Sequence, residues 1–448
     1  MLINNISERL QILHMNIDRI FKNTRMKESQ QPFLQIGLRK YKKFFTETVL
    51  KKLSDWNPAD KLSHESPIQV MDFFCGCGGM SLGFSTVSTI LPLFKIIGGC
   101  DIDPIACKTY QRNFRAPAVQ SDIKEMKRDI NAFKSFLKVT DYNPKKPLIV
   151  IGCAPCQGFT SHRKKNWSKY DDRNTLVIDF ASLVVRLNPE CIIMENVPEF
   201  LSLKYWPYFS EVRDILKGAG YFVKQAIYNA ASFGVPQERF RAVVIAMRKD
   251  FLLPEPLLKP DEYMTVRQAI GHLPMVSPGN QCPGDKLHRC ANHRPETLEI
   301  IRAIPKNGGS RPPGVGPKCL DRITGFYDVY GRLSWNSPSI TITHYARNPA
   351  SGRFLHPEQD RGLTMREAAL LQSFPTAFDF EGSFDQVFKQ IGEAVPPKLA
   401  CAVAANILIE LFSAPPSESE KMNSVPSLNE PVSSSYSSVI AGIKSKRR

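Results

Sequence analysis

Four places in the sequence put reactive or charged side chains where an apolar run ends. The first is Cys153-Ala-Pro-Cys156, which follows Pro147 to Gly152 and precedes a polar, basic stretch. Two cysteines at this spacing suit a redox pair, half of a zinc site, or a nucleophile with a structural neighbour. A thioredoxin-like motif would open a helix, whereas the residues after Cys156, through Arg173, read as a loop. A zinc site needs a second ligand pair, and Cys282, His288, Cys290 and His293 match no common finger spacing. A nucleophile needs a thiolate, and a free cysteine with a pKa of about 8.5 is only slightly ionised at neutral pH. Arg163, Lys164 and Lys165 follow closely and would raise that fraction. The residues favour the nucleophile and leave the other two readings open.

The second place is Glu195, at the end of the very apolar "CIIMENV". A carboxylate there is either paired or held with a raised pKa, which suits a general acid, or it caps a turn. The third is Arg239 and Arg241 in "QERFRAVVIA", two apart and therefore on one side of a strand. The fourth is "DFFCGCGG", Asp72 to Gly79, where Gly76, Gly78 and Gly79 allow close approach to the backbone. Ser81 stands where G-x-G-x-x-G would need its last glycine. With Asp101 ending the next apolar run, this pattern suits a nucleoside-containing cofactor, an NAD site, or a tight structural turn.

Elements that bring such residues together alternate strand and helix. "IQVMDFF", "FKIIGGCDID", "PLIVIGCAP", "CIIMENV" and "FRAVVIAMR" read as buried strands; "TLVIDFASLVVRL" and "YFSEVRDILKGAG" read as helices. This predicts an α/β fold around a doubly wound, mostly parallel sheet, with ligands at the carboxyl ends of the strands. Between 255 and 360 proline and glycine are frequent and the alternation stops, which predicts a smaller irregular domain. Helices return at "LTMREAALLQSFP", with Thr364 and Glu367 as a capping box, and at "PPKLACAVAANILIELF", with Pro397 in its first turn. The expected divisions are a basic, helical extension at 1–66, carrying an amphipathic Ile6, Leu10, Leu13, Ile17, Ile20 pattern, and a main domain at 67–254. The irregular domain at 255–360, a return to the main domain at 361–412 and a Ser-rich disordered tail at 413–448 complete the chain. The formal net charge of +16 over 448 residues points to a polyanionic partner, nucleic acid first. Eleven cysteines, no signal-peptide core and no run near the roughly 20 apolar residues of a membrane span predict a soluble intracellular protein with reduced thiols.

Taken together, "DFFCGCGG", "APCQGF", "MENVP", "QERFR", "LTMREAALLQSFP" and "GEAVPPKLACAVAANI" occur in the order found in DNA cytosine-C5 methyltransferases, which the chain resembles from about 68 to 410. The resemblance implies a Rossmann-like methyltransferase core with a target-recognition domain, and S-adenosylmethionine as cofactor. It implies a cofactor site from Phe74, Gly76, Cys77, Gly78, Gly79, Asp101 (ribose), Asp122 (adenine) and Pro155, completed by Gly392 to Val395, including Glu393 and Val395. It makes Cys156 the nucleophile that adds to C6 of cytosine and Glu195 the partner of N3. Arg241 then holds the O2 edge and Arg239 supports the carboxylate. Gln157, Arg163, Lys164 and Lys165 would belong to a loop that closes over double-stranded DNA and a flipped-out base.

By the same resemblance the protein is a monomeric modification enzyme of a bacterial restriction–modification system. It would be cytoplasmic and nucleoid-associated, sharing its target with a cognate restriction endonuclease. Two departures stand out: Glu393 replaces the usual asparagine after Gly392, and Thr160 replaces a common serine. A tRNA cytosine methyltransferase on the same scaffold would carry a Cys-Phe-Thr signature, which is missing. An inactive DNA-binding regulator would lack the Pro-Cys or Glu-Asn-Val residues, and both are present. An NAD- or thiol-dependent oxidoreductase leaves Glu195 and the arginines without a role.

Overall fold

The computed structural model describes residues 38–59, 66–155, 172–322 and 328–433. The Ile6–Ile20 pattern, the residues Cys156, Gln157, Thr160, Arg163, Lys164 and Lys165, and the last fifteen residues lie outside them. Strands β1 (Ile68–Phe73), β2 (Phe94–Asp101), β3 (Ala118–Gln120), β4 (Leu148–Gly152), β5 (Cys191–Asn196), β6 (Phe222–Asn229) and β7 (Phe240–Met247) form one sheet. Their order is β3-β2-β1-β4-β5-β7-β6. Pairs from β3 through β5 are parallel, and β7 runs antiparallel to both its neighbours. The order reverses between β1 and β4, so a crevice opens at their carboxyl ends.

The unbroken apolar runs are explained by burial on both faces. Ile149, Ile151, Ile193, Val243 and Ile245 pack into one core cluster, and Leu148, Val150, Ile192, Met194, Val244 and Ala246 into the other. The helices that frame the crevice and its supports are α1 (Lys42–Lys52), α2 (Gly79–Ile90), α3 (Pro104–Phe114), α4 (Met365–Leu371), α5 (Phe384–Glu393), α6 (Pro397–Leu411) and α7 (Glu418–Met422). The α4 capping box forms as the residues dictate: Glu367 N–H donates to Thr364 Oγ1 at 3.1 Å, and Thr364 N–H donates to Glu367 Oε2 at 2.8 Å. Arg361 grips the same carboxylate at 2.8 and 2.6 Å. Burial opposes the charge, but Arg361 keeps the Glu367 carboxyl below its ordinary pKa.

One element needs a closer look, and one expectation needs correction. The stretch Phe384–Leu411 is apolar enough to cross a membrane by composition, but 83% of its most apolar window is buried. It is broken into α5 and α6 around Pro396, so it is a core element. The Ser-rich segment after 413 is ordered as far as the structure describes it. Ser417 and Glu420 cap α7 reciprocally, and Lys421 pairs with Asp250 at 3.1 Å. Leu428 N–H donates to Gln225 on the edge strand β6, and Val432 N–H to Leu201. Serines that look like solvating residues serve here as caps, and the open edge of β6 supplies backbone partners.

Among the described residues of 255–360, regular structure is limited to short helices and isolated bridges, and a buried arginine organises the rest. Arg332 donates to the carbonyls of Ile301 (2.8 Å), Ile304 (3.0 Å), His356 (3.1 Å) and Gln359 (2.8 Å), and pairs with Asp360. Ile301, Ile304, Val329, Tyr330 and Leu355 pack beside it. Replacing Arg332 by Met should strand these acceptors and cost about 3–5 kcal/mol in denaturant unfolding. A loss below about 1 kcal/mol would show that the apolar cluster holds the region alone.

Candidate active site

The crevice is lined first by the turn after β1. Phe74, Gly76 and Gly78 all have positive φ (56°, 51° and 96°), which brings the chain sharply from the strand into α2. The three glycines have different jobs. A Cβ at Gly78 would stand 2.2 Å from the Phe114 ring, and one at Gly79 would stand 2.3 Å from the Val395 carbonyl oxygen. Those two glycines admit other parts of the protein. Gly76 alone of the three faces open space, with nothing within 4 Å of its would-be Cβ. Cys77 is buried, and its thiol points to the Gln390 carbonyl at 3.7 Å.

Asp101, at the end of β2, holds this turn in place. Its Oδ2 accepts from Gly76 N–H and its Oδ1 from Asp103 N–H, both at 2.9 Å. Burial raises its pKa against these two donors. The adjacent Ile102 is 67% exposed, an apolar side chain just past the carboxyl end of β2 that sequence reasoning misses. Its only sequence signal is an isoleucine between two acids at a strand's carboxyl end. Asp122 lies after β3, exposed, and caps the helix Ile123–Arg128 through Lys124 N–H at 2.9 Å. Beneath the turn Ser81 donates to Asp72 Oδ2 at 2.6 Å and meets Tyr110 Oη at 2.9 Å. The missing third glycine of the loop is therefore a serine bound to a buried acid.

The second half of the crevice is built from β4, β5 and β7. Glu195 sits near the end of β5, opposite Val243 of β7, and Arg241 Nε lies 2.8 Å from its Oε1. Both side chains are nearly buried. Desolvation pushes the Glu195 carboxyl above its ordinary pKa, and Arg241 and Arg239 pull it back. The next residue, Asn196, donates to the Ala154 carbonyl at 3.2 Å. That bond pins the turn just before Pro155, the last described residue before Cys156. Cys153 is packed against the core, and burial beside Glu195 pushes its thiol well up, which makes it a poor nucleophile.

Arg239 lies just before β7 and is almost completely buried. It donates to the carbonyls of Ile342 (2.8 Å), Gly392 (2.9 Å) and Ala394 (3.1 Å). Its charge reaches Glu195, while its hydrogen bonds tie the returning segment to the sheet. Glu393 is exposed between two carbonyls that Arg239 holds. The candidate zinc residues are engaged separately: His288 with Thr364 and Pro274, His293 with Gly362 N–H, and Cys290 with Ala291.

Comparison with known proteins gives a consistent picture. Residues 68–408 match the family model for C-5 cytosine-specific DNA methylase. The Type II methylase M.HgiDII of Herpetosiphon aurantiacus is 34% identical over 348 residues, covering 75% of this chain and 94% of its own. The Type II methyltransferase M1.HphI of Haemophilus parahaemolyticus is 36% identical over 345 residues, covering 75% and 86%. Among solved structures, a prophage-encoded DNA modification methyltransferase from E. coli superposes with a TM-score of 0.59 at 24% identity, over 77% of this chain and 99% of its own.

The buried Asp72 makes a separate, thermodynamic prediction. Burial lifts its pKa to about 7 against the Ser81 hydrogen bond. Its folded pKa lies above the unfolded one, so its contribution is fully present below the unfolded value, near 4, and is lost as pH rises through 7. Asp72→Asn, which cannot ionise, should therefore gain melting temperature relative to wild type between pH 5 and pH 8. An unchanged difference across that range would mean Asp72 is charged in the fold throughout.

Proposed function

Because the chain belongs to the C-5 cytosine-specific DNA methylases, we propose that it moves a methyl group from S-adenosylmethionine to C5 of a flipped-out cytosine, through a covalent Cys156 adduct. The observation that carries this reading is the buried Glu195–Arg241 pair, one residue from the asparagine that pins the Ala154-Pro155 turn.

The residues around the β1 turn fit the proposed cofactor. Open backbone at Gly76 accommodates close contact, Asp101 ends β2 with a carboxylate for ribose hydroxyls, and exposed Ile102 offers an apolar surface to an adenine ring. Phe74, Asp122, Pro155, Glu393 and Val395 would complete that site. When bound, S-adenosylmethionine supplies an electrophilic methyl group.

Cytosine C5 is too weak a nucleophile to take that methyl directly. Addition of the Cys156 thiolate to C6 forms a C–S bond and places an electron pair at C5 as an enamine. Glu195, with its raised pKa, gives or shares a proton at N3, so the ring does not accumulate negative charge. Arg241 presents its guanidinium to the ring's O2 edge while orienting Glu195. After methylation a base removes the C5 proton, the double bond re-forms and the thiolate leaves.

The base reaches the crevice only by leaving the duplex, at a cost of a few kcal/mol in stacking and pairing. Gln157, Arg163, Lys164 and Lys165 would contact the DNA around the vacated position. Residues 255–360 would read the target sequence in the major groove, and the +16 charge would serve phosphate contacts. The Type II relatives support a modification role in a restriction–modification system, on a site shared with a cognate endonuclease.

Transfer of labelled methyl groups from S-adenosylmethionine to duplex DNA tests the assignment. Cys156→Ser should abolish transfer, Cys153→Ala should retain it, and Glu195→Gln should lower it about 100-fold or more. Equal transfer by wild type and Cys156→Ser, or label on RNA alone, would overturn the reading.

A further inference from the structure

Residues 38–59 and 409–433 are described by the structure but lie outside the 68–408 family match. They meet at Arg39. Its Nε lies 3.0 Å from Glu410 Oε1 and its Nη2 lies 2.7 Å from Oε2. The same guanidinium donates to the Ala414 carbonyl at 2.7 Å and reaches Glu420 of α7 at 3.4 Å. Glu410 is in the last turn of α6, and its side chain is completely buried. Lys42 also approaches it, at 4.0 Å, while donating to the Leu253 carbonyl.

The segment that Arg39 begins is core material. Phe45, Val49, Leu53 and Trp56 are 2% exposed or less, and Trp56 Nε1–H donates to Ser85 Oγ of α2 at 2.9 Å. Helix α1 thus lies against both α2 and α6. These two helices are themselves in backbone contact: a Cβ at Gly83 would stand 2.3 Å from the Ala400 carbonyl carbon. Their amino ends are the two sides of the crevice turn, where Gly79 abuts Val395.

We infer that Arg39 is a positioning residue for the cofactor site: by holding Glu410 it fixes α1 across α6 and α2, and so sets the fit of Val395 against the Gly76–Gly79 turn. The inference rests on the function proposed above. Its physical basis is that a buried carboxylate stripped of its bidentate partner is costly, so the carboxyl end of α6 must move or take up a proton. Helix α6 is about 20 Å long and closely packed, and it passes such a shift to its other end as a rigid element.

The test is calorimetric titration of full-length protein with S-adenosylhomocysteine, alongside duplex DNA binding by fluorescence anisotropy and circular dichroism melting. Arg39→Met should weaken S-adenosylhomocysteine about fivefold or more, at a temperature where the variant is folded, and leave DNA affinity within about twofold. In turnover the effect should fall on KM for the cofactor, with kcat largely kept. The double variant Arg39→Met/Glu410→Leu removes the stranded charge, replaces the ion pair by an apolar contact that still holds α1 to α6, and should recover the affinity. Trp56→Phe, which removes the Ser85 hydrogen bond and part of the indole's packing, should weaken binding in the same direction and guards against a poorly folded Arg39 variant. Unchanged affinity in the single variants, equal losses for cofactor and DNA, or no recovery in the double variant would overturn the inference. A wild-type protein that binds no S-adenosylhomocysteine would instead overturn the functional reading.

Discussion

Arg239 is the interaction on which the crevice depends. A guanidinium with almost no access to solvent must have its donors satisfied, and the acceptors come from three distant carbonyls. Those at Ile342 and Gly392 lie 103 and 153 residues away in sequence. The bond network can form only if the irregular region and the returning helices both dock at the start of β7. Once they do, Gly392 packs against Thr343 and His344 with no room for a side chain, and Val395 meets Gly79. The two halves of the crevice are then fixed relative to each other by backbone contact.

Within that frame the acids divide by environment. Glu195 is buried and Asp101 half-buried, and both are raised in pKa, yet their partners differ. Glu195 faces an arginine, which keeps a proton within reach of chemistry. Asp101 receives backbone N–H groups, which fix a loop and leave a carboxylate edge at the crevice. Glu367 shows the opposite outcome: the same burial, answered by a bidentate arginine, gives a lowered pKa and a purely structural joint. Partner geometry, more than burial, decides which acid is available for proton transfer.

Much of this is legible in the residues. Strands β1, β2, β4, β5 and β7 announce themselves because a sheet covered on both faces needs continuous apolar runs. The Thr364–Glu367 cap and Pro397 mark helix starts through local chemistry that the fold then uses unchanged. Strand β6 escapes sequence reasoning because it is an edge strand: Lys224 and Gln225 interrupt its pattern, and Phe222 is 50% exposed. The role of Arg239 is half visible. The spacing of Arg239 and Arg241 puts both on one side of the chain, but a contact across 153 residues has no local signature. The same holds for residues 38–56, which read only as part of a basic, helical extension until α6 and α2 are in place. Gly78 and Gly79 read as ligand glycines because a tight turn against protein and one against a cofactor have the same composition.

The central claim is that a thiol one residue beyond Pro155 forms a bond to cytosine C6 during turnover. A fluorine at C5 cannot leave as the proton does, so duplex DNA containing 5-fluorocytosine should halt the reaction at the adduct. Incubating the protein with such DNA and S-adenosylmethionine, followed by peptide mass spectrometry, reads the bond directly. The account predicts a stable protein–DNA species with the fluorinated, methylated base on Cys156. An adduct on Cys153 or elsewhere, or no adduct from protein that methylates ordinary DNA, would contradict it.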